Sequence, residues 1–156
     1  MANLILLGIL LSILPFGELR AAIPYMVIVG VDPLLAFFVA TAANIAIVPL
    51  LFLFFDYLHH RFLRLSFYRR VFASTLNVIR KKEEKVKSNL ERYGLIALAL
   101  FVGVPLPFTG AYTACILAWI LNLERKKSAI AIASGVLIAG IIITLASVGV
   151  VSLFGL

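Results

Sequence analysis

Two ionisable side chains, Glu18 and Arg20, stand within the first 31 residues of the chain, which carry no other charge. A carboxylate in apolar surroundings favours its protonated form unless a cation lies close by, so Glu18 is suited to take up and release a proton. The guanidinium of Arg20 is suited to hold a phosphate or carboxylate headgroup through two parallel hydrogen bonds. A charged pair inside an apolar segment of membrane length is costly, and it therefore marks a candidate functional site.

The composition of the chain is typical of an integral membrane protein. Of its 156 residues, 63% are hydrophobic and 13% are charged, whereas an ordinary soluble domain is about half apolar and about a quarter charged. This length favours one domain. The first residues lack a basic region and a small-residue cleavage motif, so we expect no cleavable signal. The single cysteine, Cys115, excludes an intramolecular disulfide and is most simply a small packing residue.

Two short apolar segments, 3–14 and 23–31, flank the charged pair, and Pro15 and Gly17 separate them. At a rise of about 1.5 Å per residue, neither segment crosses a hydrocarbon core of about 30 Å. Together they form either one broken span or a re-entrant hairpin, whose non-helical backbone must be covered by protein or by a water-filled cavity. The uncharged run 34–55 that follows is long enough to cross the bilayer alone.

The second half of the chain repeats this order. The uncharged run 94–123 is divided at its centre by two prolines and a glycine, and the uncharged run 128–153 is again long enough to cross. The tripeptide Leu-Pro-Phe occurs at 14–16 and again at 106–108, an offset of 92 residues. Internal repeats are typical of transporters, and their broken segments indicate where the substrate binds.

Basic residues are concentrated in two regions, since 13 of the 14 lie at 61–92 or at 125–127. Cytoplasmic loops carry the excess of lysine and arginine in membrane proteins. If both regions are cytoplasmic, the run 94–123 must begin and end on that side, which makes it a re-entrant hairpin. The first hairpin then enters from outside. In the alternative interpretation each broken segment is a proline-kinked crossing helix, which places residues 124–127 outside, against the charge rule.

We therefore predict an all-α integral membrane fold of one domain, built as an inverted repeat of a re-entrant hairpin and a transmembrane helix. Repeat one covers residues 1–56 and repeat two residues 93–156, with a cytoplasmic amphipathic helical linker at 57–92. Apolar side chains recur every three or four positions in the linker, so we expect it to lie on anionic lipid headgroups. Its aromatic residues fall on the apolar stripe, which argues against nucleic-acid binding. The adjacent side chains of His59–His60 point apart on a helix and form no metal site.

Three motifs carry a resemblance to a known family. Residues 18–24 read ELRAAIP, residues 105–113 read PLPFTGAYT and residues 135–140 read GVLIAG. These resemble the prokaryotic small multi-drug export family over nearly the whole chain, and that family is similar to the DedA/VTT membrane proteins. The resemblance implies a multi-pass protein of a prokaryotic plasma membrane with paired re-entrant hairpins, related to proposed transporters of polyprenyl-phosphate lipids. Phe108 stands where the family usually has glycine, and the second hairpin lacks the arginines of the DedA pattern.

The candidate site lies where the two hairpin tips meet. In an irregular tip Glu18 and Arg20 can face one cavity, although residues i and i+2 do not share a helical face. We expect five residues to bind substrate or to couple it to protons: Glu18, Arg20, Thr109, Tyr112 and Thr113. A further set shapes the tips or supports the site: Pro15, Gly17, Pro24, Tyr25, Asn44, Pro105, Pro107 and Gly110. The chain shows no metal-ligand triad, Ser–His–Asp set or phosphate loop, so we expect no enzyme activity, no metal and no cofactor.

The leading hypothesis is a proton-coupled secondary transporter of an amphiphilic anion such as a polyprenyl-phosphate lipid, with Glu18 as the coupling group. The first alternative is proton-coupled export of small amphiphilic cations, which the positive charge of Arg20 disfavours. The second is a non-transporting membrane scaffold that binds anionic lipid or partners. A structural interpretation, in which Glu18 and Arg20 form an ion pair that pins the hairpin, also stays open. Two spans provide little protein to cover the four short helices of the two hairpins. We therefore expect a second copy of the chain to cover them in a homodimer.

Overall fold

The structure, a computed structural model, describes residues 2–15, 17–62, 85–105 and 109–154. These ranges are helical apart from short turns and contain no strand, which confirms the predicted all-α class. The helices are, in chain order, α1 Ala2–Ile13, α2 Glu18–Ile28, α3 Pro33–Phe62, α4 Lys85–Gly103, α5 Ala111–Ile120 and α6 Arg125–Phe154.

The two 30-residue helices, α3 and α6, have the length and composition of membrane spans. They are apolar almost all round, and most of their surface is not buried inside the protein. Leu53 on α3 and Leu145 on α6 are both 69% exposed. Apolar surface that is continuous over a whole helix needs an apolar solvent, so these two helices support the predicted membrane protein.

The short helices stop beside the middle of the long ones. Near the end of α1, the Ser12 hydroxyl donates to the Ala40 carbonyl at 2.7 Å, and the Asn44 amide donates to the Ser12 carbonyl at 2.9 Å. Gly103, the last residue of α4, lies so close to α6 that a β-carbon would come within 3.3 Å of Ile138 Cγ2. Asn44 therefore joins α1 to α3, and both turns between short helices lie near the centre of the bundle.

Helices α2 and α5 end in the same backbone arrangement. Gly30 and Asn122 follow them with φ angles of 83° and 52°. In both places the next N–H donates to the carbonyl five positions back at 2.9 Å. A left-handed residue with this bond is a Schellman motif, which satisfies the open carbonyls of a helix end. The two motifs stand 92 residues apart, the same offset as the Leu-Pro-Phe repeat.

Two boundaries differ from the prediction. Helix α2 begins at Glu18 instead of near residue 23, so the charged pair lies in a helical first turn and not in an irregular tip. The helix runs through Pro24, which has no N–H to offer the Arg20 carbonyl four residues back. At the linker, α3 extends to residue 62 and α4 starts at residue 85, while the central part of the predicted amphipathic helix, 63–84, lies outside the described residues.

Small side chains form the contact between the two halves. Helix α2 packs against α6, and α5 packs against α3, while α3 and α6 also pack against each other. Six alanines on these helices are fully buried: Ala22, Ala36, Ala40, Ala111, Ala114 and Ala118. Small residues allow close backbone approach between membrane helices, where packing and not hydrophobic transfer drives association. This close packing brings the start of α2 to the start of α5.

Candidate functional site

The Glu18 carboxylate lies at the N-terminus of α5, which belongs to the opposite half of the chain. The Tyr112 N–H donates to Glu18 Oε1 at 3.4 Å. Gly110, which precedes α5, lies directly against the carboxylate, and a β-carbon at that position would overlap it. A helix N-terminus has unpaired N–H groups and a partial positive charge, so an anion from another segment stabilises it. Glu18 thus acts as a cap that α5 does not provide for itself.

The Arg20 guanidinium reaches across to the turn between α4 and α5. Its Nη2 donates to the Thr109 carbonyl and to Thr109 Oγ1, the latter at 2.8 Å. The Thr109 hydroxyl in turn donates to the Val104 carbonyl at 2.8 Å. Because this turn contains prolines and leaves backbone carbonyls without helical donors, a fixed cation is a suitable partner for it.

One contact runs in the reverse direction. The Tyr112 hydroxyl donates to the Ile13 carbonyl at the C-terminal end of α1. The last carbonyls of a helix have no partner inside the helix, and a hydroxyl from a neighbouring element satisfies one of them. Each half of the chain therefore contributes side chains that hydrogen-bond to backbone groups of the other half.

Glu18 and Arg20 do not pair with each other in the described part of the chain. Glu18 contacts backbone N–H groups of the opposite turn, and Arg20 contacts oxygen atoms of Thr109. The structure shows no salt bridge between them, and the interpretation that these two charges pin the hairpin stays a prediction. The contacts that the structure does form still tie the two halves together, because each charge meets a backbone group of the other half.

The backbone at Glu18 is strained. Its φ is 46°, a left-handed value that costs an L-residue about 1–2 kcal/mol. Gly17 before it has no room for a side chain, since a β-carbon would meet the Leu11 carbonyl oxygen. Strained residues persist where surrounding contacts hold them, and such positions concentrate at functional sites. Here the contact with the N-terminus of α5 is what holds Glu18.

A cavity of about 630 Å³ lies at this junction. All five residues predicted to bind or couple line it: Glu18, Arg20, Thr109, Tyr112 and Thr113. So do four of the residues predicted to shape the tips: Pro15, Gly17, Pro105 and Gly110. Of the others, Pro24 lies next to a second cavity, Tyr25 packs against the core, Asn44 joins α1 to α3, and Pro107 lies outside the described residues. The walls combine two charges, hydroxyl groups and apolar surface, which suits an amphiphilic ligand.

A sequence model of the family described as "Putative small multi-drug export protein" matches residues 18–142. The chain belongs to this family. The match begins at Glu18 and includes the second turn and every residue that lines the cavity except Pro15 and Gly17. It confirms the first part of the predicted resemblance, and the similarity to DedA/VTT proteins stays a prediction. No curated protein and no solved structure matches the chain.

Sequence reasoning did not identify Ser12 or the Ile13 carbonyl as parts of this junction. Ser12 is buried and bonds to α3, and it is the one hydroxyl in the apolar segment 3–14. That isolation is a signal that would have found it, since polar residues inside apolar helices usually join helices. A backbone carbonyl such as that of Ile13 carries no side-chain signal, so only the fold identifies it.

A second polar cluster joins the end of α3 to the start of α6. Arg125 Nη2 lies 2.6 Å from Asp56 Oδ1, and the Trp119 indole N–H donates to the same oxygen at 3.0 Å. The Arg125 guanidinium also lies over the Phe52 ring, 5.5 Å from its centroid. The end of α3 and the loop before α6 therefore lie at the same end of the bundle. The prediction that the linker after α3 and this loop are both cytoplasmic requires that arrangement.

Proposed function

We propose that this member of the export family is a proton-coupled secondary transporter of an amphiphilic anion, with a polyprenyl phosphate as the type of substrate. The family assignment supports a membrane exporter. The observation that carries the anionic substrate is the position of Arg20, whose guanidinium lines the 630 Å³ cavity and contacts oxygen atoms of Thr109. A phosphate would replace those oxygens with a charged acceptor, which forms stronger hydrogen bonds.

Glu18 is the proposed coupling group. Its negative charge meets the N-terminus of α5 and contributes to closing the junction between the two halves. Protonation removes that charge and weakens the contact, so the two turns separate more easily. Proton binding on one side of the membrane and release on the other would then alternate the junction between tight and loose states. In this mechanism the proton acts on the contact between the turns and does not need to touch the substrate.

The membrane arrangement belongs to the same proposal. We place α1–α2 and α4–α5 as re-entrant hairpins that enter from opposite faces, with α3 and α6 as the two crossing helices. The Asp56–Arg125 contact supports this, since it holds the end of α3 and the loop 124–127 at one end of the bundle. We assign that end to the cytoplasmic face, because thirteen of the fourteen basic residues belong in sequence to the linker that follows α3 and to this loop. The linker then lies on anionic headgroups, and exposed apolar faces favour a homodimer.

The topology is tested by single cysteines in a Cys115→Ala background. Cysteines at Asp32 and at Glu124 should react with a membrane-impermeant maleimide from opposite sides of the membrane. Cys115 is buried, so its replacement removes the only native thiol with little effect on the surface. Labelling of both positions from one side would overturn the inverted arrangement. Labelling of the linker from outside would overturn the cytoplasmic assignment.

The transport function is tested in proteoliposomes with two probes, farnesyl phosphate as the anion and tetraphenylphosphonium as the cation. Arg20→Lys should reduce farnesyl phosphate transport at least about tenfold, because an ammonium cannot hold a phosphate with two parallel bonds. Lys126→Gln is the matched control, since it removes a positive charge outside the cavity. Glu18→Gln should abolish the dependence of transport on a pH gradient, whereas Glu124→Gln, which loses a contact with Lys127 at the surface, should not.

The assignment to a multi-drug export family favours a second candidate, the export of small amphiphilic drugs. In that case tetraphenylphosphonium should be transported, and Arg20→Lys should leave its transport unchanged or improved. If neither probe is transported by the folded wild-type protein, the scaffold hypothesis replaces both.

A further inference from the structure

A second cavity, of about 360 Å³, lies next to the first one. Arg20 and Pro105 line both cavities, so the guanidinium stands at the boundary between them. Apart from Arg20, the walls are almost entirely apolar and come from α2 and α6, with Pro24, Ile28 and Ala146 among them. A polar cavity and an apolar cavity thus meet at Arg20.

The apolar cavity is open toward the outer surface of the bundle. Ile28 and Val150, which line it, are 56% and 48% exposed. Ser147 also lines it, but its hydroxyl donates to the Ile143 carbonyl at 2.7 Å within α6. From Arg20 to Ile28 the cavity follows α2 for about 12 Å at the rise of an α-helix. It therefore forms a groove that leads from the central junction to the lipid-facing surface.

We propose that this groove holds the apolar chain of the transported anion, while its phosphate lies at Arg20 in the first cavity. The inference rests on the proposed function and adds to it a lateral entry from the bilayer. The charge of the groove indicates its occupant. Arg20 is the one charged residue that lines the groove, and it lies where the groove meets the polar cavity. An anion with a single attached chain matches that order, whereas a cationic amphiphile would place like charges together.

The groove should fix the position of the chain and contribute little to affinity. Lipid tails are as apolar as the groove walls, so transfer of a chain from the bilayer gains no hydrophobic energy. An affinity measurement in a bilayer is therefore a weak test, and the location of the bound chain is a strong one. The headgroup bonds to Arg20 should provide the selectivity between ligand and bulk lipid.

The test uses the full-length protein in phosphatidylcholine vesicles and dodecyl phosphate with a diazirine near the end of its chain. After irradiation and digestion, the label should map to α2 near Ile28 and to α6 between residues 142 and 151. Unlabelled dodecyl phosphate at about ten times its apparent Kd should reduce this labelling about tenfold by competition for one site. The same diazirine on dodecanol, which lacks the anion, should label exposed residues such as Leu53 as readily as the groove.

A pair of variants on neighbouring residues sharpens the test. Ala146→Trp fills the groove and should reduce its labelling about tenfold. Leu145→Trp changes the adjacent residue, which is exposed and does not line the groove, and should leave the labelling unchanged. Both variants must elute from a sizing column like the wild type.

Three outcomes would overturn the inference. If Arg20-dependent transport of farnesyl phosphate is present but the label falls outside the groove, the groove is not the chain site, and the proposed function stands. If dodecyl phosphate shows neither transport nor competition by unlabelled probe, the proposed function fails and the inference with it. If cysteines at Ile28 and Val150 crosslink two copies of the chain, a second copy covers the groove instead of a lipid chain.

Discussion

The two turns at the centre of the bundle have the same design and opposite chemistry. Both follow an apolar helical segment, contain proline and glycine, and lead into a short helix that ends in a Schellman motif. The first supplies a carboxylate and a guanidinium, whereas the second has no charged side chain and supplies an N–H group, a carbonyl and hydroxyls. Each charge on the first turn thus pairs with a backbone N–H or carbonyl group of the second half that has no partner within its own helix.

The second turn has no arginine, and the charges of the first turn contact its backbone instead. An open helix N-terminus attracts an anion, and a carbonyl in a proline-rich turn attracts a cation. Glu18 and Arg20 supply both from one side. In the proposed membrane arrangement water is scarce at these backbone groups, so the cross-contacts would stabilise the junction as well as form its cavity. The following experiments disturb the two turns in order of decreasing effect.

The largest effect is expected from Gly110→Ala. The new β-carbon would occupy the space of the Glu18 carboxylate, so that side chain must move and its contact with the N-terminus of α5 is lost. Overpacking of this kind costs about 1–3 kcal/mol in the free energy of unfolding, and transport should fall to background. The measurement is chemical unfolding in detergent with a transport assay beside it. Gly149→Ala is the control, because a β-carbon there meets nothing within 4 Å, and it should keep stability and transport. Equal behaviour of the two variants would contradict the close contact.

The second experiment separates the charge of Glu18 from its strained backbone. Glu18→Ala removes the carboxylate and keeps the cost of the left-handed φ, while Glu18→Gly removes both. The glycine variant should therefore be more stable than the alanine variant by about 1 kcal/mol. Both should lose pH-driven transport. If alanine proves as stable as glycine, Glu18 does not hold a left-handed conformation.

The third experiment concerns the contact between Arg20 and Thr109. A double-mutant cycle with Arg20→Gln and Thr109→Val should give a coupling energy of about 1.5 kcal/mol, the lower range for a hydrogen bond to a charged group. The carbonyl contact survives in Thr109→Val, so the cycle reports the hydroxyl alone. Additive effects of the two changes would place the hydroxyl outside the reach of Arg20.

The fourth experiment removes the contact between the Tyr112 hydroxyl and the backbone of the first half. Tyr112→Phe should cost about 1 kcal/mol of stability, because the Ile13 carbonyl loses its donor and keeps its apolar surroundings. Transport should decrease less than in Arg20→Lys. Tyr25→Phe is the matched control, since it deletes the hydroxyl of a tyrosine that does not line the central cavity. A larger loss of transport than in Arg20→Lys would mean that the hydroxyl of Tyr112 binds the substrate directly.

The residues of the candidate site were predictable, and their partners were not. Proline and glycine in two apolar runs, together with the repeat of Leu-Pro-Phe, are enough to bring Glu18 and Thr109 to one place. The pairing of Glu18 with the N-terminus of α5 was missed because open N–H groups depend on where a helix starts, and α5 has no side-chain cap of its own. The apolar segment 23–31 leaves out the charged residues before it, whereas α2 includes Glu18 and Arg20 in its first turn, so the helix starts earlier than the apolar pattern indicates.

The last experiment, with the smallest expected effect, tests whether the ends of α2 and α5, which lie away from the cavity, are equivalent. Gly30 and Asn122 occupy the same position of the two Schellman motifs, with φ of 83° and 52°. Asparagine tolerates this conformation better than most residues but less well than glycine, so Asn122→Gly should stabilise the protein by a few tenths of a kcal/mol, up to about 1 kcal/mol. Gly30→Ala should destabilise it by about 1 kcal/mol, and the cost is purely conformational because a β-carbon there meets nothing within 4 Å. Chemical unfolding in detergent measures both changes, and transport should stay at the wild-type level, since neither residue lines a cavity. A destabilised Asn122→Gly would show that the asparagine side chain makes a contact that glycine cannot replace, and the two ends would then differ in function as the two turns do.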